Sequence, residues 1–71
     1  MIFDVTRLDV DDARARWALA KASRLLEIDD VTSVTYDRAR ARIVVRVDAP
    51  KETAMSLRLV VERAVEWMVQ S

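Results

Sequence analysis

Residues 31–48 (VTSVTYDRARARIVVRVD) alternate between apolar and polar side chains, and this alternation constrains the fold more than any other feature. Successive side chains of a β-strand point to opposite faces of the sheet, so the pattern predicts two strands with one apolar face. That face takes Val34, Tyr36, Ala41, Ile43, Val45 and Val47. The other face takes Thr35, Arg42, Val44 and Arg46. The β-branched residues in the segment favour the same structure.

The connection between these two strands falls at residues 37–40 (DRAR), which contain no Gly and no Asn-Gly or Asp-Gly pair. Tight two-residue hairpin turns need residues that accept positive φ angles. The sequence therefore predicts a looser loop of four or five residues.

A strand and a helix precede the hairpin in the predicted order. Residues 2–8 predict a strand with Phe3 and Val5 facing the core, and residues 13–28 predict one continuous helix with Asp9 or Asp11 as its N-cap. The apolar stripe of this helix has spacings of three and four: Ala15, Ala18, Leu19, Ala22, Leu25 and Leu26. Trp17 lies at the edge of the stripe, where we expect its ring to cover the margin of the core.

A second helix follows the hairpin, starting near Pro50 or near Ala54 and reaching about Gln70. Its core stripe consists of Ala54, Leu57, Val61, Ala64, Val65 and Met68. Leu59, Val60, Trp67 and Val69 lie partly outside this stripe. The surplus apolar residues have two explanations: the end of a long helix overhangs the sheet, or Leu59, Val60 and Trp67 form an interaction surface for another chain.

The order strand, helix, strand, strand, helix predicts an α+β fold, a β-α-β-β-α two-layer sandwich. We expect a three-stranded antiparallel sheet (order 1-3-2) with two helices on one face. The 71 residues predict a single domain, 1–71.

Composition excludes several classes of function. The formal net charge is zero, which argues against general attraction to nucleic acid or to an anionic membrane. With no His and no Cys, the commonest general base and thiolate chemistry are missing, and no Gly-rich loop cradles phosphate. We therefore predict no catalytic residues, no cofactor, no metal and no enzymatic activity. No apolar run approaches the ~20 residues of a membrane span, and Asp4 and Arg7 interrupt any signal-peptide pattern.

Two features of the sequence are minor candidates for binding. The carboxylate pairs Asp11-Asp12 and Asp29-Asp30 sit at helix ends, where capping and solvation explain them. The arginine-rich face of the hairpin carries no aromatic residue on which bases could stack. Its members are Arg38, Arg40, Arg42 and Arg46. We predict a solvated charged face there and do not expect nucleic-acid binding.

Glycine is absent from the whole chain. Average usage of ~7% predicts about five glycines in a domain of this length. A chain without Gly, Cys or His, with short loops and apolar patterning on every element, resembles a computationally designed α+β protein.

The hairpin also resembles that of the heavy-metal-associated family, whose small ferredoxin-like domains act as copper and zinc chaperones. The matching positions are Val31, Val34, Tyr36, Ile43, Val45, Val47 and Asp48. The resemblance places the family's metal-binding CxxC at Arg14 and Trp17, neither of which replaces a thiolate for a soft metal. The family also ends in a fourth strand, which would fall at residues 66–70, although Ala64, Val65 and Glu66 continue the helical period. Without a fourth strand the first strand is an open edge, which invites pairing with another chain.

The leading expectation is a designed folding scaffold without natural biochemical activity. The alternative is a small protein-interaction module that forms a homodimer through the first strand or the second helix. No other partner is expected.

Overall fold

The computed structural model describes residues 1–70 as three strands and three helices. In chain order they are β1 (Ile2–Arg7), α1 (Asp12–Ala20), α2 (Ala22–Leu26), β2 (Val31–Asp37), β3 (Arg42–Asp48) and α3 (Lys51–Gln70). The α+β class predicted from the sequence is confirmed.

The three strands form one antiparallel sheet in the order β1-β3-β2, as predicted. Val45, at the centre of β3, lies between Val5 of β1 and Val34 of β2. The pairing of β2 with β3 shifts register between Val31 and Ser33, whereas β1 pairs with β3 without interruption. The central strand is therefore regular on its β1 side and irregular near the start of β2.

A four-residue connection, residues 38–41, joins β2 to β3 and confirms the looser loop predicted from the missing turn glycine. The Asp37 carboxylate accepts a hydrogen bond from the Arg40 backbone N–H (3.3 Å). Ala41, predicted to lie on the strand, instead ends the turn with a φ of 51°, and β3 begins one residue later. This left-handed conformation completes the reversal that Gly would ordinarily provide.

The core lies between one face of the sheet and the helices. Its side chains are those of Phe3, Val5, Val10, Ala15, Ala18, Ala22, Leu25, Val31, Ile43, Val45, Val47, Ala49, Ala54, Val61, Val65, Met68 and Val69. No charged or polar residue among 1–70 is buried with them. The alternation in the hairpin sequence thus correctly predicts which β3 side chains face the core, because Ile43, Val45 and Val47 are fully buried.

The predicted continuous helix over residues 13–28 is wrong in one respect, since it divides at Lys21. There the backbone N–H bonds to Ala18 O (3.0 Å), three residues back, and the Arg24 N–H bonds to Lys21 O in the same way (3.1 Å). These shorter steps tighten the helix and redirect α2. Because the axis turns, Leu26 leaves the expected stripe and is exposed, while Leu25 stays in the core.

The N-terminus of α1 is capped by Asp11, one of the two predicted caps, whose carboxylate accepts the Arg14 N–H (2.8 Å). Trp17 does not cover the core margin as expected: its side chain is 69% exposed. The straight first half of the helix presents Ala15 and Ala18 to the core and so turns Trp17 to the surface.

Residues 66–70 continue α3, so the fourth-strand alternative is not what the chain adopts. Thr53 bonds back to Pro50 O through its backbone N–H (3.0 Å) and its hydroxyl (3.2 Å), which fixes the first turn after the proline. Val69, expected partly outside the stripe, is buried. The helix therefore packs on the core over its full length, and β1 is left as an edge of the sheet.

Candidate interaction surface

The three residues singled out from the sequence all lie on the exposed side of α3. Leu59, Val60 and Trp67 are 58%, 53% and 45% exposed. Leu59 and Trp67 border the same shallow cleft on the outside of the helix, whereas Val60 lies outside it. The cleft is otherwise lined by charged and polar side chains of the same helix: Glu62, Arg63, Glu66 and Gln70. The structure therefore joins two of the three predicted residues in one surface.

Trp67 also has contacts within the molecule. The Lys21 ammonium lies 5.5 Å and the Arg24 guanidinium 5.7 Å from the centre of its ring, both within range of a cation–π interaction. With Leu25 and Ala64, Arg24 and Trp67 line a small apolar hollow between α2 and α3. Trp67, which the sequence indicated as a docking residue, therefore also contributes to the contact between α2 and α3.

The β1 edge was the second surface predicted for self-association, and its hydrogen-bonding direction follows from one residue pair. The Met1 amine donates to Ala49 O and the Ala49 N–H donates to Met1 O, both at 2.9 Å. In an antiparallel ladder hydrogen-bonded pairs alternate with non-bonded pairs. The odd-numbered residues of β1 therefore bond to β3, and the N–H and C=O groups of Ile2, Asp4 and Thr6 point away from the sheet.

An open cleft of about 360 Å³ runs between this edge and α3. At one end the Arg58 guanidinium lies over the Phe3 ring, 4.5 Å from its centre. At the other end Arg7 forms an ion pair with Glu66. Glu62 lines the cleft between them. Charged α3 side chains thus stand beside unpaired backbone groups of β1.

Sequence reasoning missed three exposed apolar residues, two of which lie at the ends of this edge. Ile2 is 66% exposed and Leu8 55% exposed, one at each end of β1. Met55 on α3 is still more exposed. Ile2 had a sequence signal, because it lies on the opposite face from Phe3 and Val5 in the strand pattern. Leu8 follows the strand, and only its position beside the edge in the folded chain gives it meaning.

The arginines of the hairpin are each matched by an acidic side chain. Their ion pairs are Arg38–Asp12 (3.4 Å), Arg40–Asp37 (3.2 Å), Arg42–Asp37 (3.5 Å) and Arg46–Asp4 (3.0 Å). Exposed pairs contribute little to stability, but they cancel the local charge that phosphate binding requires. The face is a set of local ion pairs rather than a basic patch.

Two of these carboxylates have shifted titration. The hydrogen bond from Arg46 lowers the pKa of Asp4 below its usual value, and the positive charges of Arg46 and Arg42 add to this effect. Burial acts to raise the pKa of Asp37, but hydrogen bonds from Arg40 and the charges of Arg40 and Arg42 outweigh it, so that this pKa is also lowered. Both groups are therefore carboxylates at neutral pH, as their ion pairs require.

The two positions matched to the metal-binding motif of the heavy-metal-associated family have different structural roles. Arg14 donates from its guanidinium to Val69 O at the end of α3 (3.1 Å), and Trp17 projects from α1 toward solvent. Asp11 and Asp12, one of the carboxylate pairs, are used as a helix cap and as the partner of Arg38. Within residues 1–70 no three His, Cys, Asp or Glu side chains come together as metal ligands would.

Comparison of the chain with models of protein families, with curated proteins and with solved structures finds no match. Within the described part of the chain, no helix combines the length and the apolar character that crossing a membrane requires.

Proposed function

We propose that this chain is a small protein-interaction module that acts by forming a homodimer, and not an enzyme. The observation that carries the proposal is the open β1 edge, with exposed apolar side chains at its two ends, Ile2 and Leu8, and charged side chains of α3 beside it. Unpaired strand edges pair readily with other chains unless they are short, charged, bulged or covered. In a ferredoxin-like domain a fourth strand would cover this edge, and here α3 takes up the residues that such a strand would use.

The size of the molecule fits a weak, reversible association. A standard interface removes about 800 Å² from each partner. The whole surface of the chain is 4930 Å². One edge and its flanking side chains form a modest part of that surface, so we expect a dissociation constant in the micromolar range, ~1–100 μM, typical of small transient interfaces.

Sedimentation equilibrium over a concentration series, from about 1 μM to about 1 mM, tests the proposal across this range of affinities. We expect the average mass to rise from that of one chain, 8.1 kDa, toward that of two. A mass that stays at one chain over the entire series contradicts the proposal. Continued growth beyond two chains also contradicts it, since it indicates open-ended aggregation in place of a closed dimer.

A designed folding scaffold without activity is the second candidate, and the absence of glycine favours it. Asp9 and Ala41 weigh against it. Both have positive φ angles (59° and 51°), at which idealised design places Gly. The two candidates differ in the sedimentation experiment, because a scaffold that only folds remains a monomer. We rank the interaction module first.

A further inference from the structure

The two edges of the sheet differ in their readiness to accept another strand. The outer strand β2 carries a register irregularity between Val31 and Ser33. Such bulges twist an edge and interrupt its hydrogen-bonding groups. The six residues of β1, by contrast, pair regularly with β3 and include no proline or lysine. Of the two, β1 is the edge that offers a continuous template.

Not every alignment of two β1 strands satisfies their backbones. Two residues of an antiparallel pair form hydrogen bonds with each other only if the backbone N–H and C=O groups of both point toward the partner strand. In β1 the residues with such groups are Ile2, Asp4 and Thr6. Pairing Asp4 with Asp4 of the second copy sets like charges directly opposite each other, which is unfavourable. Pairing Asp4 with Ile2 of the second copy shortens the ladder. Pairing Asp4 with Thr6 of the second copy brings a hydroxyl donor to a carboxylate acceptor.

This last alignment also places the exposed apolar ends of β1 together. With Asp4 opposite Thr6 and the axis at Val5, Ile2 comes opposite Leu8 of the second copy. Both side chains are more than half exposed in the single chain. The Leu8 carbonyl already accepts a hydrogen bond from Arg7 (2.9 Å), so the backbone pairing depends on the groups of Asp4 and Thr6.

Charges on α3 complement each other in the same arrangement. Arg58 lies near Phe3 and Glu66 near Arg7, so α3 runs in the same direction as β1. A two-fold axis at Val5 therefore sets Arg58 of each copy toward Glu66 of the other. Glu62 lies between these positions, near the axis, and faces its own counterpart. Two favourable contacts thus accompany one unfavourable contact.

We propose that two copies pair antiparallel through β1, with Asp4 opposite Thr6 and a two-fold axis at Val5. The product is a continuous six-stranded sheet in the order β2-β3-β1-β1-β3-β2. This inference rests on the proposed function and specifies which of its two surfaces forms the dimer.

Disulfide trapping tests the register, because the natural chain contains no cysteine. Hydrogen-bonded antiparallel partners have Cα atoms ~5.5 Å apart, a separation that a disulfide spans without strain. We expect a mixture of the Asp4→Cys and Thr6→Cys chains to cross-link as a heterodimer under mild oxidation. Each variant alone should cross-link much more slowly. Rapid cross-linking of Thr6→Cys with itself overturns the register, as does the absence of any preference for the mixed dimer.

Proline substitution tests the edge itself. Thr6→Pro removes an outward N–H that β3 does not use, and proline is tolerated at such edge positions. The loss of two hydrogen bonds per dimer should weaken association at least about tenfold. Thr6→Val keeps the N–H and controls for the side chain. Val34→Pro is the matched control on β2. The backbone groups of Val45 bond to β1, so the N–H of Val34, which lies opposite Val45, points away from the sheet. Proline at this position should leave the dimer intact.

Circular dichroism verifies that each proline variant is folded. If Thr6→Pro does not fold, the cross-linking of Asp4→Cys with Thr6→Cys tests the β1 interface in its place. Glu62→Gln should tighten the dimer at low salt by removing repulsion at the axis. If the chain dimerises but neither Thr6→Pro nor Glu62→Gln changes the affinity, the interface lies elsewhere and this inference fails while the proposed function stands. If the natural chain is monomeric throughout, both fail.

Discussion

Replacing Ala41 with Gly should stabilise the protein, because the turn between β2 and β3 holds this alanine in a left-handed conformation. The φ angle of Ala41 is 51°. A residue with a Cβ atom in this region costs about 1–2 kcal/mol, because Cβ crowds the following carbonyl. Glycine removes this cost but adds about 0.5–1 kcal/mol of conformational entropy to the unfolded chain. The difference is a net gain of about 0.5–1 kcal/mol.

The contacts of Ala41 support this estimate, because they belong to the backbone and survive the substitution. Its carbonyl accepts the Val10 N–H (2.8 Å), and its own N–H donates to Arg38 O (3.3 Å). For a domain of this size, 1 kcal/mol corresponds to about 4–8 °C in Tm. We therefore expect Ala41→Gly to raise Tm by about 2–8 °C.

Thermal and urea unfolding followed by circular dichroism measure this effect, at one low protein concentration so that association does not contribute. Ala39→Gly is the matched control: it lies in the same turn, and its φ is not positive. There glycine adds only unfolded-state entropy, so stability should fall by up to about 1 kcal/mol. The reasoning is refuted if Ala41→Gly is no more stable than the natural chain, or if the two substitutions have equal effects.

Three further predictions concern hydrogen bonds and titration. Tyr36→Phe should cost about 1 kcal/mol, because its hydroxyl donates to the Val10 carbonyl (2.6 Å); Thr32→Val, which loses an exposed bond, should cost less than about 0.5 kcal/mol by urea unfolding. Burial first, and neighbouring acidic charge second, raise the pKa of Tyr36, so tyrosinate absorbance should show a higher midpoint in the folded chain than in urea, and equal midpoints contradict this. The ion pair of Asp4 with Arg46 lowers the pKa of Asp4, so its contribution is present above the unfolded pKa of ~3.9 and is lost as pH falls through the folded pKa. The stability difference between the natural chain and Asp4→Asn should therefore shrink in acid, and a difference independent of pH argues against the pair.

The fold was largely predictable because the apolar periods are unambiguous. Alternation placed Ile43, Val45 and Val47 in the core, and spacings of three and four placed Val61, Val65 and Met68 there. These patterns depend only on where successive side chains point in a strand or a helix. The sheet order followed from the element order and short connections.

The wrong predictions of side-chain position concern features that the periodicity of a single helix does not show. Leu26 was predicted on a straight helix, but the chain turns at Lys21, and the turn moves Leu26 to the surface. Trp17 lies before the turn and is exposed because α1 presents Ala15 and Ala18 to the core. Trp67 was predicted to belong either to the overhanging end of a long helix or to an interaction surface, and neither prediction included the contacts of Lys21 and Arg24 with its ring. Periodicity describes one element at a time, and these contacts join two.

The candidate site was only half visible from the sequence. The missing fourth strand indicated an open edge, but which backbone groups it exposes depends on the Met1–Ala49 hydrogen bonds, a contact between residues 48 positions apart. The proximity of Arg58 to Phe3 and of Glu66 to Arg7 arises from the packing of α3 on the sheet.

The sequence by itself determined most of the buried residues of β1, β3 and α3, with Val69 as the exception, because burial follows the local period of side-chain direction. It also excluded thiolate and histidine chemistry, because those residues are absent. For residues 66–70 the period favoured helix, and the tertiary structure decided against a fourth strand. Only the tertiary structure decided that charges from α3 line the β1 edge that is left open. These outcomes depend on how distant segments compete for the same space, and no local pattern records that competition.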